Sequence, residues 1–269
     1  MRCKIAKIST YGSAHPVVAR LVVQTQTLLG WADLSAEEKG EVFDRYCVMK
    51  GRLVRCHEVH RRLEEALKKS FGGYQPVPHG RGKFRPHIIG LRNELDTFLC
   101  EGANVLRDVL GVVNIFFGTG FAEAAAFCAA RSGGQGQLGK WAADAFGPTD
   151  PFAKLLAAHQ PWLGELIRKR DAVEHPGGTS GALTITNIEQ AADGRFAPPM
   201  WRRGSMAPTR VFPDIEALLE NLLALAEDVL VACISHKNTF GGMIAFSEIA
   251  EADRDPDCPI RMKLIQTSM

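Results

Sequence analysis

The longest pattern in this sequence is a seam of apolar residues that recur at alternating spacings of three and four between residues 36 and 71. The seam consists of Val42, Tyr46, Met49, Leu53, Cys56, His60, Leu63 and Leu67. This spacing puts the side chains on one face of an α-helix over about four heptads, and such a face requires a companion surface. Residues 84–117 and 213–236 have the same rhythm, so the sequence predicts a fold of packed long helices.

The predicted fold class is all-α: a four-helix up-and-down bundle with extra N-terminal helices and a small β-hairpin insert. The bundle helices are expected at residues 84–117, 119–146 in pieces, 150–175 and 213–236. We expect three regions along the chain: an N-terminal helical region over 1–78, the bundle over 79–237, and a tail with short strands over 238–269.

Two parts of the sequence change from a helical to a strand-like period. Residues 183–188 alternate as a β-strand, Asp193-Gly194 is a turn signal, and residues 195–203 return as an edge strand. The tail contains two further strand patterns, residues 243–249 and 260–265, separated by an acidic turn. The sequence therefore predicts a hairpin inside the helical region and two short strands after it.

The helix that is expected to begin at the N-cap residue Asp150 carries the most distinctive polar residues of the chain. Arg170 falls in the middle of its apolar arc, where a guanidinium requires a partner or a ligand. His175 precedes Pro176. Because the residue before a proline disfavours the α region, we expect the helix to end at His175 and to leave the imidazole at its mouth.

The segment Arg170-Asp-Ala-Val-Glu-His175 consists of an arginine, a polar residue, three further residues and a histidine. It resembles the R-x4–6-H motif of the HEPN superfamily, whose members often have Asn, Asp or His directly after the arginine. In this sequence that position is Asp171. The helical pattern over about residues 84–237 is similar to the HEPN fold, and the helices of residues 15–71 lie outside the resemblance.

The resemblance implies a metal-independent endoribonuclease without a cofactor, often a toxin or an antiviral-defence effector. RNA carries its own nucleophile, the 2′-hydroxyl beside the scissile phosphate. A histidine can accept that proton or protonate the leaving oxygen, and an arginine can stabilise charge on the phosphate oxygens. His175 would take the first role and Arg170 the second, while Asp171 would position one of them by a hydrogen bond.

The resemblance also implies a homodimer in which two motif helices meet, so that two copies of Arg170 and His175 line one cleft. Two basic segments with interleaved aromatic residues suit an RNA backbone, although a solvated loop explains the first segment equally well. The candidate RNA-binding residues are Arg81, Lys83, Arg85, Arg202 and Arg203.

The motif residues also have purely structural explanations. Arg170 and Glu174 stand four residues apart and can form an ion pair, and a histidine at a helix C-terminus is favoured by the helix dipole. The alternative function is therefore a non-catalytic HEPN-like module that binds RNA or protein as a dimer. The seam of residues 36–71 favours this alternative, because its companion can be an antitoxin or another protein.

Cys56, His57 and His60 suggest a metal site, but no further ligand pair lies near them in sequence and zinc requires four ligands or three plus water. We therefore predict no metal. The seven cysteines are scattered, which suits a reducing compartment. No apolar run has the length of a membrane span or the setting of a signal peptide, so we predict a cytoplasmic protein without membrane association.

Overall fold

The structure is a computed structural model that describes residues 11–72, 86–129, 134–191, 193–239 and 244–266. These residues are mostly helical, with three small antiparallel sheets. The predicted helical character is confirmed, and the chain has more β-structure than one hairpin. Across the described ranges, no helix has the combination of length and apolarity that crossing a membrane requires.

The helical elements follow one another along most of the chain. In order they are α1 Pro16–Val18, a π-helical turn Ala19–Val23, α2 Gln24–Leu29, α3 Ala36–Gly72, α4 Leu91–Phe117, a 3-10 helix Ala124–Phe127, α5 Gln137–Phe146, α6 Pro151–Glu174 and α7 Val211–His236. The strands are β1 Leu183–Thr186, β2 Glu189–Gln190, β3 Phe196–Ala197, β4 Met200–Arg203, β5 Thr209–Arg210, β6 Ile244–Glu248 and β7 Met262–Gln266, with a short 3-10 turn at Glu251–Asp253.

The chain divides into two compact units. The first comprises Met1–Gly51, Asp108–Gly120 and Leu223–Met269, and the second comprises Arg52–Arg107 and Phe121–Leu222. The region boundaries near residues 78 and 237 stay a prediction from the sequence.

The first unit contains a buried ionic network around Glu227 of α7, whose side chain is 1% exposed. Its carboxylate accepts hydrogen bonds from Arg20 Nε and Gln24 Nε2, each at 2.8 Å, and pairs with Arg261 Nε at 3.3 Å. The Gln24 Oε1 accepts from the backbone amides of Arg261 and Met262 at 2.7 and 2.6 Å. These bonds fix the start of β7 to α2 and α7.

In the second unit, α3 packs against α4. Cys56 Sγ lies 3.8 Å from the Phe98 carbonyl oxygen, and Arg62 forms a two-pronged pair with Glu94 at 3.0 and 2.7 Å. Of the seam residues in this part of α3, Leu53, Cys56 and Leu63 are buried, and His60 and Leu67 are half-buried. The companion surface for this half of the seam is therefore α4 of the same chain.

In the first unit, the remaining half of the α3 seam is also covered by the chain. Tyr46 is fully buried, and its hydroxyl donates to the Ala226 carbonyl of α7 at 2.6 Å. Burial of Val42 and Met49 completes this half. The chain thus supplies a companion for these seam residues, and an antitoxin or another protein partner along residues 36–71 stays a prediction.

Helix α4 begins at Leu91 and not at residue 84, where the sequence predicted its start. Gly90 has a φ of 76°, which a right-handed helix cannot include. Just before it, the Ile88 amide donates to Asn187 Oδ1 and the Ile88 carbonyl accepts from Asn187 Nδ2, both at 2.9 Å. The Asn187 side chain takes the place of helical hydrogen bonds here, and the helix begins after Gly90.

Of the helical pieces expected over residues 119–146, the first does not form an α-helix in the described residues. Only the 3-10 helix Ala124–Phe127 forms, and Cys128 after it is extended. A Cβ built on Gly136 would lie 2.7 Å from the Ala126 carbonyl oxygen and 2.8 Å from that of Cys128. The carbonyl groups therefore face a second segment of backbone instead of continuing a helix.

The variant Gly136→Ala is expected to lower the free energy of unfolding by about 1–3 kcal/mol, because the atoms that its Cβ would meet belong to the backbone and cannot rotate away. The matched control is Gly51→Ala in α3, where nothing lies within 4 Å of the new Cβ. It should raise the free energy of unfolding by about 0.5–1 kcal/mol. Urea unfolding followed by circular dichroism measures both, and equal values for the two variants would contradict the packing described.

The predicted β-hairpin is present between α6 and α7. β1 pairs antiparallel with β4, β2 pairs with β3, and Gly194 turns the chain with a φ of 83°. Pro198 and Pro199 separate β3 from β4, because proline cannot donate to the ladder. β5 adds a third strand that the sequence did not indicate. The two tail strands are also confirmed, as the antiparallel pair β6 and β7.

Candidate active site

Helix α6 begins and ends where the sequence predicted. Asp150 caps it by accepting a hydrogen bond from the Phe152 amide at 2.8 Å. His175 is the C-cap residue, with φ −127° and ψ 67°, and its amide donates to the Asp171 carbonyl at 2.8 Å. The His175 side chain is exposed. The imidazole therefore lies at the C-terminal end of the helix, accessible to solvent.

Arg170 is held by two carboxylates of its own helix. Its Nη1 lies 3.1 Å from Asp171 Oδ1, and its Nη2 lies 2.6 Å from Glu174 Oε2. The side chain is 19% exposed, and its Nε is buried with no acceptor among the residues that the structure describes. A buried donor without an acceptor costs about 1–3 kcal/mol, so this guanidinium retains an unused binding capacity.

Asp171 contacts both partners of the motif. Its side chain binds Arg170, and its backbone carbonyl accepts the amide of His175. The carboxylates of Asp171 and Glu174 outnumber the single positive charge of Arg170. In this arrangement a phosphate that approaches Arg170 has to displace or neutralise at least one carboxylate.

The loop after His175 is tied down by successive turns. The Gly178 amide donates to the His175 carbonyl at 2.9 Å, and the Gly181 amide donates to the Gly178 carbonyl at 3.0 Å. Arg203 Nη1 then donates to the Ser180 carbonyl at 3.1 Å. The backbone beside His175 is therefore anchored to strand β4.

The predicted RNA-binding residues lie in different surroundings. Arg203 is 15% exposed and its Nη2 lies 3.2 Å from Glu165 of α6, so its charge is already paired. Arg202 is exposed, and within the described part of the chain no carboxylate forms an ion pair with it. Arg81, Lys83 and Arg85 lie outside the described residues.

The buried cation of α6 is Lys169 and not Arg170, which corrects the prediction from the apolar arc. The Lys169 side chain is 8% exposed, and its Nζ lies 4.1 Å from the ring centroid of Trp201. Arg170 lies at the centre of the apolar arc, and it would be the buried cation if only that side of the helix were covered. In the structure, strands β1 to β5, here called the β-insert (residues 183–210), cover a further side of α6 with Trp201.

Asp214, in the first turn of α7, completes this cluster. Its Oδ2 accepts hydrogen bonds from Thr209 Oγ1 at 2.5 Å, Trp201 Nε1 at 2.7 Å and Lys169 Nζ at 3.2 Å. Partial burial alone would raise the pKa of Asp214. The hydrogen bonds from Thr209 and Trp201, together with the ammonium of Lys169, outweigh burial and hold this pKa below its ordinary value.

This cluster has little signal in the sequence. Lys169 stands in the charged run Arg168-Lys-Arg-Asp171, where a solvated lysine is the usual outcome. Trp201 stands in the sequence as an aromatic residue between basic ones. Asp214 was consistent with an acid in a first helical turn. Only the three-dimensional contact of α6, β4 and α7 brings the three together.

The variant Asp214→Ala is expected to lower the free energy of unfolding at pH 7 by about 2–3 kcal/mol, because it leaves the buried Lys169 without its carboxylate. Since the folded pKa of Asp214 is depressed, its contribution is present above the unfolded pKa of about 3.9 and is lost as the pH falls through the folded pKa. Urea unfolding of parent and variant measures the difference as a function of pH. The exposed Glu216→Ala on the same helix is the control, and an equal effect of both variants would contradict the contacts.

Across the described residues, no three His, Cys, Asp or Glu side chains are grouped so that they could hold a metal ion. Cys56 is engaged with a backbone carbonyl, and His60 Nε2 lies 3.9 Å from Glu64.

Comparison with known proteins finds no matching family model, no matching characterised protein and no matching solved structure. The resemblance to the HEPN superfamily therefore rests on the residues of the motif and on their position at the end of α6.

Proposed function

We propose that this protein is a metal-independent endoribonuclease of the HEPN type, acting in the cytoplasm as a toxin or an antiviral-defence effector. The observation that carries the proposal is the placement of Arg170 in the last turns of α6 and of His175 at its C-cap. Arg170 is mostly buried, oriented by Asp171 and left with an unused Nε, while His175 is exposed at the C-cap. A fixed cation and an accessible imidazole are the two groups that phosphoryl transfer from a 2′-hydroxyl requires.

In the proposed reaction, His175 accepts the proton of the 2′-hydroxyl, and the resulting oxygen attacks the adjacent phosphorus. The bond from phosphorus to the 5′-oxygen breaks, and that oxygen takes up a proton. Arg170 stabilises the charge on the non-bridging oxygens, and Asp171 keeps its guanidinium in place. The products are a 2′,3′-cyclic phosphate and a 5′-hydroxyl.

We further propose a four-helix HEPN-like bundle that forms a homodimer through α6, with two copies of Arg170 and His175 facing one cleft. The accessible His175 at the end of α6 supports this arrangement, because a second copy of the helix end or an RNA strand can reach it. Arg202 is the described residue best suited to the RNA backbone, since it is exposed and basic. Arg81, Lys83 and Arg85 keep the same proposed role.

The experiment is to incubate the purified protein in EDTA with a single-stranded RNA and with the DNA of the same sequence. The proposal predicts cleavage of the RNA alone, because only RNA supplies the 2′-hydroxyl. A third strand with a single deoxyribose should be cut everywhere except at that position. Cleavage of DNA, or cleavage at the deoxyribose, would contradict the proposed chemistry.

A second candidate is the non-catalytic module, and one observation favours it. Glu174 binds Arg170 at 2.6 Å and, together with Asp171, gives the motif an excess of negative charge. In this alternative, Arg170 stabilises the helix and the dimer interface, and the protein does not cleave RNA. The module would bind RNA or protein through the same face of α6.

The variant Glu174→Ala separates the two functions. If Arg170 binds the phosphate, removal of the competing carboxylate should tighten RNA binding and raise the cleavage rate. The expected change is about threefold to tenfold, as for one charge pair in a partly exposed site. In the non-catalytic module, cleavage stays absent. Fluorescence anisotropy and a cleavage time course measure both quantities, with Glu65→Ala as the control for an exposed helical pair.

A further inference from the structure

A cavity of about 320 Å³ lies beside the buried Lys169 in the second unit. It is bounded by α6, the β-insert and the first turns of α7. Its apolar wall contains Trp162, Leu166, Trp201, Met206, Ala217 and Leu218. Small-molecule sites have volumes of about 300–1,000 Å³, with mostly apolar walls and a few convergent polar groups. The cavity has both properties.

The polar groups of this cavity offer more donors than acceptors. Asp214 is one of its two carboxylates, and Asp214 Oδ2 already accepts three hydrogen bonds. The other is Glu165, which pairs with Arg203 at 3.2 Å and with Arg168 at 3.9 Å. The acids of the wall are therefore engaged with the protein.

The cations of the wall keep unused hydrogen-bonding capacity. The ammonium of Lys169 has three protons, and Asp214 is its one carboxylate partner in the described structure. Arg202 is exposed and forms no ion pair with a carboxylate of the described residues, and Arg203 is the third cation of the wall. Arg202 lines the same cavity, so three cations stand against two carboxylates. A ligand with acceptor atoms and negative charge would satisfy these groups.

Both tryptophans of the wall are held in place before any ligand arrives, and Trp162 is the one with an accessible ring. Trp162 donates from Nε1 to His159 Nδ1 at 2.9 Å, which fixes the plane of its half-buried ring. Trp201 is fully buried and fixed by its bond to Asp214. Rigid indole rings favour a flat apolar body in contact with them.

We propose that this cavity binds a small organic anion whose flat apolar body packs against Trp162 and Leu218 and whose carboxylate or phosphate is bound by Lys169 and Arg202. This binding is separate from RNA cleavage and does not rest on it. The carboxylate and the phosphate share the chemistry of a charged acceptor, and the probes below distinguish them.

The test is isothermal titration calorimetry with two matched pairs of probes. The first pair is 2-naphthoate and its neutral counterpart 2-naphthalenemethanol, and the second pair is AMP and adenosine. At least one anion should bind about tenfold or more tightly than its neutral counterpart, as expected for charge-assisted hydrogen bonds in a partly buried site. Selectivity for naphthoate identifies a carboxylate ligand, and selectivity for AMP identifies a phosphate ligand.

Three variants locate the binding. Lys169→Met should weaken the anion about tenfold while retaining the volume of the side chain. Ala217→Phe places a ring in the mouth of the cavity from an exposed helical position, so it should fold and abolish binding. Arg195→Gln removes an exposed charge elsewhere in the β-insert and should bind as the parent does.

The proposal is overturned by any of three results. One is that neither anion binds up to the millimolar range. Another is that anion and neutral counterpart bind equally. The third is that folded Ala217→Phe binds like the parent, which decides the question even if Lys169→Met proves too unstable to study.

Discussion

Glu227→Ala is expected to lose about 3–5 kcal/mol of the free energy of unfolding. The carboxylate is buried and accepts bonds from Arg20 and Gln24 while it pairs with Arg261. Removal of Glu227 takes away the carboxylate that pairs with the charge of Arg20, whose side chain is 3% exposed. Such a charge has to be rehydrated or neutralised, and both processes favour the unfolded chain.

The measurement is urea unfolding at pH 7, with Glu216→Ala as the control because Glu216 is exposed on the same helix. The control should change the free energy of unfolding by less than about 0.5 kcal/mol. A double variant, Arg20→Met with Glu227→Leu, should recover much of the loss, since it removes both charges. A loss of less than about 1 kcal/mol in Glu227→Ala would contradict the role of the network.

Arg170→Ala is expected to lower the rate of RNA cleavage by about 10²–10³, the cost of removing one donor to a developing oxyanion. Its free energy of unfolding should fall by less than about 1 kcal/mol, because the pair with Glu174 is an i,i+4 pair within one helix. We therefore expect this variant to lose most of its cleavage rate and to keep most of its stability. A cleavage time course and urea unfolding measure the two quantities on the same preparation.

Arg61→Ala is the matched control for this experiment. Arg61 pairs with Glu65 at 2.6 Å and at the same i,i+4 spacing, but on α3. It should lose as little stability as Arg170→Ala and keep the parent rate. Arg170→Lys should keep the charge and still lose most of the rate, because an ammonium lacks the planar fork. Equal cleavage by parent and Arg170→Ala would exclude Arg170 from the chemistry.

The helical framework could be predicted from the sequence because its signals are local. The seam of α3 was identified at nearly every buried position, since periodicity reports which face a long helix buries. The N-cap Asp150 and the end of α6 at His175 were identified from side-chain capping and from the proline that follows. The hairpin of the β-insert followed from the turn at Gly194.

The features that the sequence did not predict depend on contacts between distant segments. The start of α4 is decided by Asn187, nearly a hundred residues further along the chain. The failure of the helix after residue 121 depends on the approach of Gly136. The burial of Lys169 depends on Trp201 and Asp214. None of these has a periodic signal, because each is a single contact between elements.

The motif of residues 170–175 contains features that the sequence predicts and one that it does not. The position of His175 follows from Pro176 and from the end of the helical pattern, so the sequence was sufficient for it. The pairing of Arg170 with Asp171 and Glu174 was foreseeable as a local ion pair. The burial of its Nε was not, because that depends on the packing around α6.

Cleavage of a fluorescent single-stranded RNA in EDTA by the parent protein and by His175→Ala tests the proposed ribonuclease most directly. His236→Ala serves as the control, since His236 also stands at a helix C-terminus. The parent and His236→Ala are predicted to cleave at equal rates and to leave 2′,3′-cyclic phosphate ends, and His175→Ala is predicted to be slower by about 10²–10⁴. Equal cleavage by the parent and a folded His175→Ala, or products that end in a 3′-hydroxyl, would contradict the proposal.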